Sequence, residues 1–253
     1  MTLNANPKIA ALVALAAACA LSLPARAQTP APTQHFTLDN TYADRLGGTS
    51  LTPHGGSFEA GGYRFDPGQG LSLTGLPAGT YTLDFEISFD PVPVGGSNWG
   101  KLVDFQDRSR ESGLHRIGSH LGFWDPAHLP AGAALPQQTL LRLSVTRDAS
   151  NAFSVYANGV LQLNFADHAG RTRFDADQSI GWFLIDNQSG NEVVGGWLGE
   201  MRVWDHALSA AQVASLGAPT APVPEPTSWA LWLAGLGAVG MRRLRYASPT
   251  PAC

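Results

Sequence analysis

Tyr81-Thr82-Leu83-Asp84-Phe85-Glu86-Ile87-Ser88-Phe89-Asp90 alternates without a break between apolar and polar residues. A period of two puts five apolar side chains on one face of an extended chain and five polar ones on the other, the pattern of a half-buried β-strand. Leu141, Leu143 and Val145 repeat it, with Arg142, Ser144 and Thr146 opposite. Phe153, Val155 and Ala157 then lead into Asn158-Gly159, from which 160–165 runs back. Asn-Gly suits a type I′ turn, because both central residues take positive φ. Shorter runs at 63–65, 71–73, 101–105, 114–117, 121–124, 182–185 and 197–204 also read as strands. Many short strands with Gly-rich turns predict an all-β protein, a two-sheet antiparallel sandwich. One short helix is expected over 210–216: Ser209 and Gln212 form a capping box, Leu208 and Val213 a staple, and Gly217 the stop.

Both ends of the chain have a different character. Lys8 precedes an apolar stretch at 9–23, and Ala25-Arg26-Ala27 offers a small-x-small cleavage site before Gln28, as in a secretory signal peptide. A rival cut at Ala16-Ala17-Ala18-Cys19 resembles a lipoprotein signal but lacks the usual leucine three residues before the cysteine. At the other end, Val223-Pro224-Glu225-Pro226 is followed by an apolar run at 229–241 and then by Arg242, Arg243 and Arg245. As a helix that run covers roughly 20 Å, against about 30 Å of bilayer hydrocarbon. It lacks the polar face that a buried helix of a soluble domain would carry. Local thinning and arginine stems reaching for headgroups would allow insertion, with the positive cluster on the cytoplasmic side.

The order Pro224, Glu225, Pro226, short apolar helix, Arg242, Arg243, Arg245 resembles the PEP-CTERM sorting signal. That resemblance implies export by the general secretory route and transient anchoring in the inner membrane. It also implies processing by an exosortase, a membrane cysteine protease-transpeptidase, and release to the cell surface or matrix. The expected organisation is a signal peptide at 1–27, a Pro-rich leader at 28–35, one folded domain at 36–217 and a Pro/Ala linker at 218–222. The sorting signal follows at 223–246, with its membrane helix at 229–241, and then a tail at 247–253.

Removing both ends changes the composition. Lys8, Arg26 and the three C-terminal arginines leave, so Lys+Arg falls from 16 to 11 against 20 acidic residues, a net charge of −9. Such a body, with Lys101 as its one lysine, argues against nucleic acid or anionic lipid as partner. Cations and neutral polymers stay open. Cys19 and Cys253, the two cysteines, lie in the discarded ends, so no disulfide is expected in the body.

Within the body, Tyr63-Arg64-Phe65-Asp66, the strand 81–89, the Val155-Tyr156-Ala157-Asn158-Gly159 hairpin and Met201-Arg202-Val203-Trp204-Asp205-His206-Ala207-Leu208-Ser209 occur in an order that resembles laminin-G-like domains. These belong to the concanavalin A-like lectin/glucanase superfamily. The resemblance, over roughly 36–217, implies a jelly roll with binding functions, calcium at one rim in some members and glycosidase activity in certain relatives.

Function then depends on particular residues. A glycosidase needs two carboxylates about 5 to 10 Å apart. Asp84, Glu86 and Asp90 share a strand face but miss the Glu-x-Asp-x-x-Glu pattern of the glucanase relatives, and read as a solvated face. The body has no cysteine and no Gly-x-Ser-x-Gly elbow. His115 and His120 lack helical zinc spacing and read as surface histidines. No catalytic residue is therefore assigned. For calcium, the loop 186–192 collects oxygen donors, with Asp186, Asn187 and Glu192 first and Asp104 or Asp107 as further ligands. For carbohydrate, Trp99 after a Gly-rich stretch and Trp124 before Asp125-Pro126 are expected on loops, free to stack on sugar rings. Trp182, Trp197 and Trp204 lie in expected strands and are expected to pack in the core or cover it. A polysaccharide-binding surface module, a structural or adhesion component without a small ligand and, third, a glycoside hydrolase are the readings open at this point.

Overall fold

The structure, a computed structural model, describes residues 27–91, 98–124, 128–174, 181–185 and 194–219. In chain order run β1 (Gln34–Phe36), β2 (Thr52–His54), β3 (Ser57–Glu59), β4 (Gly62–Phe65), β5 (Gly70–Leu73), β6 (Tyr81–Phe89), β7 (Trp99–Asp104) and β8 (Gly113–Ile117). Then follow β9 (His120–Trp124), β10 (His128–Ala131), β11 (Leu141–Arg147), β12 (Ala152–Ala157), β13 (Val160–Ala166), β14 (Gly181–Phe183), β15 (Gly196–Trp204) and helix α1 (Ala210–Leu216). Every stretch with clear alternation is a strand. The four additions, β1, β2, β3 and β10, are three or four residues long, too short for a period of two to show.

Two antiparallel sheets form the sandwich. The larger is ordered β13-β12-β11-β6-β15-β4-β3, with β1 also paired to β15, and the smaller β10-β9-β8-β7-β14-β5-β2. The two longest alternating stretches pair with each other, Leu83 opposite Val145, Phe85 opposite Leu143 and Ile87 opposite Leu141. Their apolar faces therefore coincide and face the second sheet. Between the sheets Tyr81, Phe105, Phe123, Phe153, Phe165 and Phe174 form an aromatic core with ring centroids 4.9 to 6.2 Å apart. A void of about 10 Å³ lined by Phe85, Ile87, Leu102, Val103, Leu114, Leu143, Val145 and Leu184 is water-sized and apolar. A sugar has no room there.

The turn and helix chemistry is as the residues predict. Asn158 and Gly159 take φ of 50° and 80°. Gly159 is required twice over, since a Cβ there would lie 2.9 Å from Cα of Ala214 in α1. Ser209 and Gln212 close a capping box, and the Gly217 N–H donates to the Ala214 carbonyl. Helix α1 lies on the outer face of the larger sheet, where Leu208 and Val213 join Tyr156 and Trp204 in a second, small core.

Two sequence expectations change. Residues 28–35, set apart by composition as a leader, belong to the domain. Residues 34–36 form β1 on β15, Trp204 donates its indole N–H to the Pro30 carbonyl at 2.9 Å, and Thr29 meets Ser215 at 2.6 Å. The polar face of β6 and β11 is also not solvated: Asp84, Arg142, Ser144 and Thr146 are all buried. No described helix is long and apolar enough to cross a membrane; the run 229–241 lies outside the described residues.

Candidate functional site

The outer face of the smaller sheet carries a row of aromatic and ionisable side chains. Trp99 opens β7 and Trp124 closes β9, at strand ends and not in loops as expected. The registers place Lys101 opposite His115 and His115 opposite Gly122, so the two tryptophans lie diagonally across His115 on the strand between them. Their rings meet edge to face, 5.7 Å apart at 87°, and Trp99 also meets the His115 ring at 5.4 Å. Among the described residues four large apolar side chains are exposed, Leu46, Trp124, Val160 and Leu161, and Trp124, at 38 %, is the one aromatic. An exposed indole braced by a second indole is a platform for a flat apolar face.

Farther along the sheet Trp182 stands opposite both Asp104 and Ser72. Phe183 points into the core, so its neighbour Trp182 points out, on the covering side of the sheet. The His54 ring lies 4.6 Å from Trp182, the Arg108 guanidinium 4.3 Å above it, and the indole N–H donates to Asp107 Oδ1 at 2.8 Å. His54 also meets the Ser72 hydroxyl at 2.8 Å. Burial, and then the Arg108 charge, push the His54 pKa below the usual histidine value. Sequence reading missed this second cluster. Its one local signal was the Trp182-Phe183 alternation, and three residues of strand are too few to read.

Between the two aromatic groups runs the loop 105–112, from Asp104 beside Trp182 to Gly113 beside Trp124. Asp104, fully buried, anchors it: Oδ1 accepts the backbone N–H groups of Gln106 and Arg108 at 2.9 Å each, and Oδ2 accepts from Lys101 at 3.4 Å. His115 is likewise buried, correcting its reading as a surface histidine.

The carboxylates first considered for catalysis lie on the opposite sheet, in ion pairs. Asp84 accepts from Arg142 at 2.6 Å, Arg202 at 2.9 Å and Ser144 at 2.6 Å; Glu86 pairs with Arg142, and Asp90 takes both Arg64 nitrogens at 2.9 and 2.7 Å. Burial raises the Asp84 and Glu86 pKa values in spite of the Arg142 charge. His35 and Glu200, 2.5 Å apart, extend the network.

Asp186, Asn187 and Glu192, the first calcium candidates, lie outside the described residues. Their proposed helpers Asp104 and Asp107 are already engaged by the loop backbone, Lys101 and Trp182. Among the described residues no three His, Cys, Asp or Glu side chains are grouped to hold a metal. Pro224, Glu225, Pro226, Arg242, Arg243 and Arg245 also lie outside them. Gln28, just after the expected cut at Ala27, is exposed, with its carbonyl 3.4 Å from the Gln212 side-chain amide.

The family model described as the concanavalin A-like lectin/glucanases superfamily matches residues 68–214, and that of the PEP-CTERM protein-sorting motif matches 222–245. The second match marks an exported protein sorted by an exosortase. No curated protein matches the sequence. Similar solved structures include a sialidase from Trypanosoma rangeli in complex with 2,3-difluorosialic acid, at 14% identity and a TM-score of 0.59, covering 75% of this chain and 33% of the sialidase. Domain 4 of AbnA, a GH43 extracellular arabinanase from Geobacillus stearothermophilus, in complex with arabinotriose, matches at 16% identity and 0.57, covering 75% of this chain and 100% of that domain. The ligand-binding domain of botulinum neurotoxin serotype D in complex with N-acetylneuraminic acid matches at 11% identity and 0.54, covering 73% of this chain and 50% of that one. At these identities the likeness is one of fold. The chain spans only about a third of the sialidase and half of the neurotoxin domain.

Proposed function

The chain belongs to the concanavalin A-like lectin/glucanases superfamily, and from that premise we propose that its jelly roll is a carbohydrate-binding module displayed at the cell surface or in the extracellular matrix. The observation that carries this reading is the Trp99–Trp124 pair, two indoles 5.7 Å apart with one exposed, on the outer face of a sheet. Neighbours of the same fold solved in complex with arabinotriose and with N-acetylneuraminic acid support it. The route outward is a signal peptide cut after Ala27, transient membrane anchoring through 229–241, and exosortase processing near Pro224, Glu225 and Pro226. The mass of the protein recovered from culture medium checks both cuts.

We read the body as a binding module and not an enzyme. Asp84, Glu86 and Asp90 are held by arginines, which supports this, since a general acid or nucleophile must be free to approach a glycosidic oxygen or carbon. New reducing ends after incubation with mixed polysaccharides would overturn it.

The test of binding is a glycan-array screen of the full chain beside Trp99→Ala and Trp124→Ala. A signal that falls about tenfold or more in each variant, as expected for loss of an aromatic anchor, supports the reading. No signal from the parent chain would make the jelly roll a spacer; an equal signal from all three would move the site elsewhere.

A further inference from the structure

We propose that residues 28–36 are a strap that closes over β15 and α1 only after the signal peptide has been cut, and that its closure ends access to the Ala27–Gln28 bond. This rests on the reading of Ala27 as the export cut and adds the order in which cutting and folding occur.

The strap is held by the last stretch of the body. Gln34 stands opposite Val203 and Phe36 opposite Met201, so β1 continues the edge of β15 that β4 covers from Gly196 to Leu198. Thr33 donates both its backbone N–H and its hydroxyl to the Val203 carbonyl, at 2.8 and 3.0 Å. The chain then meets Trp204, whose indole N–H goes to the Pro30 carbonyl, and ends against α1. There the Thr29 hydroxyl lies 2.6 Å from that of Ser215 and 3.2 Å from the Gln212 carbonyl. Trp204 is 1 % exposed, and closure supplies its buried N–H with an acceptor.

Closed, the strap withholds what a peptidase needs. Thr29 is the second residue past the cut, the Gln28 carbonyl is 3.4 Å from the Gln212 amide, and Ala27 is half-buried. A peptidase takes its substrate as an extended segment whose backbone is free to pair with the cleft. A segment already docked must first open locally, and cutting slows by the fraction of time it stays closed.

Chain order decides which event comes first. The contacts of Thr29, Pro30 and Thr33 are made to residues 170 to 186 positions later. At about 5–20 residues per second those partners follow the cut site by roughly 10 to 40 s. Until they emerge the strap has nothing to close on, and the bond stays open to the peptidase. Once β15 and α1 are in place it is covered.

The experiment uses the full chain with Cys19→Ala and Cys253→Ala, which leaves no other cysteine, and adds Thr29→Cys/Ser215→Cys. Folded protein in neutral detergent is given a bacterial signal peptidase, and intact mass follows the loss of residues 1–27. Oxidised, the paired-cysteine protein should be cut at least about tenfold more slowly than after reduction. Ser215→Ala, which loosens the strap without altering the sequence around the cut, should be cut about threefold faster than its parent. Chain diluted from urea straight into the peptidase should show a fast phase that is lost when it refolds first. Equal rates for oxidised and reduced protein, or for refolded and freshly diluted chain, would overturn the proposal. So would failure of the two cysteines to join, because Thr29 would then not be seated against Ser215. If no form is cut after Ala27, the freshly diluted chain included, the export cut itself is misplaced and the premise fails.

Discussion

The outer faces of the two sheets carry similar residue types to opposite ends. On the larger sheet Asp84, Glu86, Arg142, Arg202 and Glu200 neutralise one another, and residues 28–33 and α1 pack beside them around Trp204. On the smaller sheet the aromatic rings stay near the surface, and the buried charges Lys101 and Asp104 anchor the loop that frames them. The lesson is that charge does not mark a site. Ionisable groups that satisfy each other are structure, while a ring left exposed is available surface.

Three measurements would break or sharpen that contrast. The largest effect is expected for Asp84→Ala, which leaves Arg142, Arg202 and Ser144 facing a lost carboxylate. Urea unfolding should show a loss of about 3 to 5 kcal/mol, as for breaking a buried pair, with glycan binding unchanged while the protein is folded. A loss below about 1 kcal/mol would place the network with ordinary surface pairs. Next, Ser209→Ala removes the N-cap of α1 and should cost about 1 kcal/mol, again without touching the tryptophan face. If it weakened binding, the two faces would be coupled.

The smallest effect concerns pH. Burial raises the Glu86 pKa above its usual 4.5, with Glu200 and Asp84 adding to the rise and Arg142 opposing it. A raised carboxyl binds protons more readily in the folded state than in the unfolded one. Its contribution is therefore most favourable at low pH and declines as pH rises from about 4.5 through the higher folded value. Relative to Glu86→Gln, the parent protein should gain thermal stability on acidification toward that window. A difference that stays flat with pH would show that Glu86 is not perturbed by its neighbours.

Much of the fold was legible because strand alternation, the Asn158-Gly159 turn and the Ser209–Gln212 cap are local. Each needs only residues within reach of one turn or one pleat. The larger sheet's network was not legible, because Asp84 meets Arg142 58 residues away and Arg202 118 residues away. The same alternation that identified β6 made its polar face look solvated, and only its pairing with both β11 and β15 buries it. Residues 28–35 misled for a related reason. Pro-rich composition resembles a linker, whereas here the Pro30 carbonyl satisfies a buried indole N–H. Trp99 and Trp124 were singled out for their polar, Gly- and Pro-bearing flanks, but nothing in those flanks says that the two rings touch.

The sequence by itself determined what is carried by short-range pattern: a β-sandwich, a C-terminal sorting motif, a hairpin and a capped helix. Only the tertiary structure decided which faces are open, because exposure depends on strands far apart in the chain becoming neighbours. That pairing turned one polar stripe into an ion network and, on the other sheet, left the Trp124 indole exposed above buried Lys101, Asp104 and His115.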